Sequence, residues 1–236
     1  MGWWIATLAA LFAAAASISA GAQAPPAPPA PASRFVVVLD AAHGGDDAGA
    51  NLDGQPEKAY TLALSVRLRS LLTARGIAVV TTREADVTVD GVHRAEIADH
   101  ASAQACLILH ASESGFGVHL FTSSLAPEKP ALFEPWKTAQ AAWLTRSVAL
   151  EGELNSAFEH AGMTVTMGRT ELPTLDSLTC PAVAVEIGPA RGSDRAAGGA
   201  ASSSAPGSLA DPGYQAQVAD ALAAALVEWR VEGSQL

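Results

Sequence analysis

Cysteine is nearly missing from this 236-residue chain and basic residues are scarce: there are two Cys, and 14 Lys or Arg stand against 24 Asp or Glu, a formal net charge of -10. Two cysteines cannot make the disulfide framework that staples a small scaffold, and Cys106 and Cys180 lack the paired spacing of a thiolate zinc site. Each is expected to fill core, as free cysteine commonly does, and the two could pair only if the apolar runs they open lie on neighbouring strands. No Lys/Arg cluster occurs, so the basic footprint of a nucleic-acid partner is absent, and with it the attraction to an anionic membrane surface. No internal repeat occurs. What remains, 49% hydrophobic and 16% charged residues, is the composition of one domain with a full core.

The first long apolar run, Gly2 to Ala20, is uncharged and followed by A-x-A patterns at Ala20 to Ala22 and Ala22 to Ala24. It reads as a secretory signal peptide over residues 1–22, although no Lys or Arg precedes it. Being Ala-rich and close to the lower limit of about 17 residues for a spanning helix, it would make a poor membrane anchor. No Cys follows it, which excludes a lipoprotein. Residues 23–33 form a Pro/Ala-rich linker of extended polyproline character. Folded sequence is expected from Arg34, interrupted at 196–208 by the low-complexity stretch AAGGAASSSAPGS, which reads as a flexible surface loop.

Short β-branched runs (Phe35 to Leu39, Ile77 to Thr82, Cys106 to Leu109, Val118 to Phe121, Val183 to Val185) alternate with helical patterns at Thr61 to Ala74, Gly91 to Ala101, Thr138 to His160 and Tyr214 to Val231. Parallel strands need crossover helices, so this alternation predicts a single α/β domain: a mostly parallel twisted sheet with helices on both faces.

Three of the apolar runs end on or just before a metal-binding residue: VVVLD before His43, LIL before His110 and VAV before Glu186. Residues outside the carboxyl ends of parallel strands converge on one crevice even when distant in sequence. Glu57 follows a Gly/Asp-rich loop directly before the first helix. Two His and a carboxylate are a known catalytic zinc set, and a further Glu could serve as general base. Each residue also has a plain structural reading: a His at a strand end usually makes hydrogen bonds, and Glu57 suits a helix N-terminus. Glu186 is the hardest to read that way, because a carboxylate ending a hydrophobic strand is expensive without a partner or a task.

The strings VVVLDAAHGGDDAGA, EK, TRE, LILHAS, GVHLF and PAVAVEIG, in this order from Phe35 to Val231, resemble the zinc-dependent N-acetylmuramoyl-L-alanine amidases of the Amidase_3 type. The resemblance implies that residues 34–236 are a zinc amidase catalytic domain, that His43, Glu57 and His110 hold Zn2+, and that Glu186 is the catalytic glutamate. It implies a peptidoglycan hydrolase that cuts the amide between N-acetylmuramic acid and L-alanine of the stem peptide, exported across the inner membrane to the periplasm or cell envelope. Arg83 and Arg94 also match, with a structural ion-pair role. The chain departs from the family in having Ala41-Ala42 before the first His, Ser112 after the second, and Gly188-Pro189 and the insertion after the glutamate. The departures touch the rim of the cleft and no ligand.

The alternatives are a non-catalytic peptidoglycan-binding module of the same fold, against which the four retained residues argue, and a zinc peptidase cutting within the stem peptide. Some relatives carry a regulatory helix between the GVHLF strand and the next helix, a part Glu128 or Glu134 could play under an activator protein. Pro127, Pro130 and Pro135 interrupt any helix there, so a substrate-contacting loop is expected. His93, His100, His119 and His160 read as surface or packing residues. Asp40 could orient a ligand histidine by accepting its second N–H.

Overall fold

A computed structural model of the protein describes residues 34–129, 135–190 and 207–233. The signal peptide and linker expected over 1–33, Glu134, and residues 196–206 of the low-complexity stretch lie outside the described residues.

Six strands form one sheet in the order β4-β1-β5-β8-β6-β7, where β1 is Val36–Ala41, β4 Ala78–Thr81, β5 Ala105–Ala111, β6 Val118–Ser123, β7 Val165–Thr170 and β8 Ala182–Ile187. All neighbours are parallel except β6 and β8. A short hairpin, β2 (Asn51–Leu52) with β3 (Gln55–Pro56), precedes the first helix. The mostly parallel α/β sheet expected from the alternation is therefore present. β7 is the strand that the sequence pattern hides: it lies at the sheet edge, carries Gly168 and Arg169, and leaves Met167 exposed, so it never reads as an apolar run.

The central strands bury both faces, which is why they read as continuous apolar runs. One face packs against α1 (Glu57–Ala74), α3 (Leu144–His160) and α5 (Pro212–Gly233) in a core that includes Leu64, Leu68, Leu154, Phe158 and Leu222. The other is covered by α2 (Gly91–His100) and α4 (Pro173–Asp176), through Ala95, Ala98 and Leu175. Along α1 the buried positions Tyr60, Thr61, Leu64, Ser65, Leu68 and Leu72 recur at helical spacing. The helix closes at Arg75 with Gly76 at φ +74, whose left-handed turn lets Ile77 N–H reach the Leu72 carbonyl.

The helix expected over Thr138 to His160 is split. Trp136–Ala142 is a 3-10 segment kinked at Thr138, and α3 starts at Leu144. Its buried Gln140 side chain donates to the backbone carbonyls of Leu178 and Cys180, and Ser147 Oγ donates to the Gln140 side-chain oxygen Oε1, tying the segment to the foot of β8. Cys106 and Cys180 are buried and joined by a disulfide. β5 and β8 are neighbours with Cys106 opposite Ala182, so the two do more than fill core.

Candidate metal centre

The site lies at the carboxyl ends of β1, β5 and β8. The chain leaves β1 at Ala41 and turns so sharply that His43 adopts φ +63, a left-handed conformation that a non-glycine residue holds only when its surroundings impose it. Two buried arginines impose it. Arg94 of α2 donates to the carbonyls of Ala41 (2.8 Å) and His43 (2.7 Å) and forms an ion pair with Asp40 at 2.5 Å. Arg83, after β4, donates to the carbonyls of Ala41 (2.8 Å), Ala42 (3.1 Å) and Lys58 (2.7 Å), which locks the turn to the start of α1. The ion-pair role expected of both arginines thus holds for Arg94, whereas Arg83 bonds mainly to carbonyls.

Glu57 opens α1 with its side chain only 5% exposed. Its Oε1 accepts from the Ala111 amide at 3.0 Å and lies 2.9 Å from His110 Nδ1. Its Oε2 accepts from the Ala50 amide at 2.9 Å and lies 3.0 Å from His43 Nε2. Burial pushes this carboxyl up, but the hydrogen bonds from His110 and the two amides outweigh burial and hold it below the usual carboxylate range. Gly49 makes the approach possible: at φ +67, a Cβ there would stand 2.7 Å from both Glu57 Oε2 and His43 Cδ2.

The donor atoms of His43, Glu57 and His110 all lie within 4.8 Å of one another, so the sequence-expected trio is assembled into a centre that can hold a metal ion. The carboxylate that orients His43 is Asp47, not Asp40. Asp47 Oδ2 is 2.8 Å from His43 Nδ1, and that hydrogen bond holds the Asp47 carboxyl below its usual range. Asp40 instead takes Arg94 and the Thr82 hydroxyl (2.6 Å). Asp47 lies four positions after His43, but only the Gly44-Gly45 turn folds the one back onto the other.

Glu186 on β8 is the register partner of His110 on β5, so the fourth expected residue shares a sheet face and a row with one member of the cluster. A cleft of about 340 Å3 opens beside it, lined by His43, His110, Thr88, Asp90, Leu172 and Thr174. His93 and His100 lie on exposed positions of α2 and His160 on an exposed position at the end of α3, which fits the surface reading, and none belongs to the His43, Glu57 and His110 group. Glu128 is not part of the group either.

A two-histidine, one-carboxylate centre at the carboxyl ends of an α/β sheet, open to a cleft, has the form of a metal-dependent hydrolase site. A family model described as N-acetylmuramoyl-L-alanine amidase, Amidase_3, matches residues 37–228. The chain belongs to that family. Among curated proteins it is 40% identical over 76 residues to the endolysin of Bacillus phage SPP1, covering 32% of this chain and 28% of that one. It is likewise 40% identical over 77 residues to the N-acetylmuramoyl-L-alanine amidase AmiA of Escherichia coli K12, covering 32% of this chain and 27% of that one. The matched stretches thus span little more than a quarter of those relatives. The catalytic domain of CwlV, an N-acetylmuramoyl-L-alanine amidase from Bacillus (Paenibacillus) polymyxa, has the same fold, with a TM-score of 0.62 at 24% identity over 83% of this chain and 97% of that one.

Proposed function

We propose that the protein is a zinc-dependent N-acetylmuramoyl-L-alanine amidase that hydrolyses the amide between the lactyl group of N-acetylmuramic acid and L-alanine in peptidoglycan. The observation that carries this reading is the His43, Glu57 and His110 donor cluster with Glu186 one strand away in register. His43 offers Nε2 and His110 offers Nδ1, with Glu57 charged between them, a donor set that suits zinc with a position left for water. Zinc bound there would lower the pKa of a water and polarise the scissile carbonyl. Asp47 fixes the tautomer and orientation of His43. Glu186 takes a proton from the attacking water and passes it to the leaving amine nitrogen. The cleft beside His43 and His110 receives the glycan or the stem peptide.

The same reading takes residues 1–22 as a cleaved signal, 23–33 as a linker and 34–236 as the catalytic domain, acting in the periplasm or cell envelope. The Cys106 to Cys180 disulfide favours an oxidising compartment, and no described helix is long and apolar enough to cross a membrane.

Mass-spectrometric analysis of the products released from peptidoglycan by the zinc-loaded protein, with Glu186→Ala in parallel, tests the proposal. Free stem peptides beginning at L-alanine, lost in the variant and on chelation, are expected. Cleavage within the stem would favour a peptidase, and wall binding without products would favour a binding module.

A further inference from the structure

His119 has the sequence signature of a strand residue with nothing to do. The β6 to β8 pairing changes that. β6 is the one strand antiparallel to its sheet neighbour β8, and in that register His119 lies directly opposite Glu186. Glu186 is also level with His110 on its other side, so His110, Glu186 and His119 form one row across three adjacent strands, on one face. Directly opposed side chains on antiparallel strands have Cβ atoms roughly 4.5–5.5 Å apart, within reach of an imidazole and a carboxylate.

Two further features set His119 apart from a packing residue. Its Nε2 is buried and has no hydrogen-bond partner among the described residues, and a buried polar atom left unpaired costs free energy. Its ring is also held: it stacks on Phe121 at 6.5 Å and 12°, and the Gly115 backbone closes over it so tightly that a Cβ there would stand 3.0 Å from Nε2. The Glu186 side chain, for its part, makes no hydrogen bond or ion pair among the described residues. An imidazole and a carboxylate that both lack partners thus face one another across a strand pair.

We propose that His119 is the positioning residue for Glu186: in the working site its ring N–H donates to one carboxylate oxygen and leaves the other aimed at the attacking water. The inference rests on the reading of Glu186 as the general base. It assigns His119 no contact with the metal and no proton of its own to transfer.

The test is a double-mutant cycle on the zinc-loaded full chain with a soluble muropeptide substrate: His119→Ala, His119→Gln, Glu186→Gln and the His119→Ala/Glu186→Gln pair, each with its zinc content and melting temperature. His119→Ala should lower kcat by about 10–100-fold with KM changed less than about twofold and zinc retained, in line with the loss of an outer hydrogen bond to a catalytic group. His119→Gln, which keeps an N–H donor, should recover most of the loss. In the Glu186→Gln background, His119→Ala should cost less than about twofold more, because the two act as one unit. A full additional loss in that background, an effect confined to KM, or no effect of His119→Ala overturns the positioning role alone. Near-normal turnover in Glu186→Gln by itself overturns the base assignment, and the positioning role with it.

Discussion

Glu57 Oε1 stands 2.9 Å from His110 Nδ1 and Oε2 stands 3.0 Å from His43 Nε2, so one buried carboxylate joins two imidazoles delivered by different strands. Everything around it serves that bridge: the Ala50 and Ala111 amides hold the carboxylate ionised, Gly49 admits the loop, and Arg83 and Arg94 hold the turn that carries His43.

Glu57→Gln keeps the shape and removes the charge, and its amide nitrogen cannot accept from either partner. Zinc affinity should fall by more than the roughly 10–100-fold typical of losing an outer partner of a ligand, with the fold intact. Chelator competition measures the affinity and circular dichroism the fold; wild-type affinity in the variant would remove Glu57 from the ligand set.

Arg94 is 7% exposed and pairs with Asp40, itself 5% exposed, while holding two carbonyls of the turn. Arg94→Met strands a buried carboxylate, and breaking such a pair costs about 3–5 kcal/mol. Urea unfolding should register that loss, and zinc binding should weaken along with it as the His43 backbone is released. A variant as stable as the parent would show that the pair contributes nothing.

The Cys106 to Cys180 disulfide closes a sequence separation of 74 residues. The chain-entropy argument assigns such a loop about 4 kcal/mol. Guanidinium unfolding of a Cys106→Ala/Cys180→Ala variant, or of the parent under reductant, should show a midpoint lowered accordingly. Superimposable curves with and without reductant would count against it.

Glu151 on α3 is 6% exposed, and its Oε1 has no hydrogen-bond partner among the described residues. Burial pushes its carboxyl up to about 7, against an opposing pull from Arg169. The unfolded chain releases the same proton near its ordinary value of about 4.3. The folded state therefore holds the extra proton between these values: the associated stability is complete below about pH 4.3 and is lost as pH rises through about 7. Glu151→Gln should be increasingly more stable than the parent between pH 5 and pH 8, by roughly 2–3 kcal/mol at the upper end. Urea titrations at three pH values decide it, since a difference that stays flat with pH would mean that Glu151 does not carry the titration.

The apolar runs determine most of the sheet, because strands buried on both faces must be continuously hydrophobic, and they place His43, His110 and Glu186 at strand ends by the same logic. The spacing of α1 and the Arg75-Gly76 stop were equally legible, since helix periodicity and a left-handed cap are local properties. What the linear pattern hides depends on contacts between distant segments. The edge strand β7 has little apolar surface to announce it, and Gln140 breaks the helix before α3 through bonds to residues some 38 and 40 positions away. Only the fold turns Asp47 onto His43, gives Asp40 to Arg94 and brings the two cysteines together. Likewise, a histidine that alternates unremarkably along its own strand meets Glu186 only because β6 runs antiparallel to β8, and strand direction is set by tertiary connection, not by the residues of the strand.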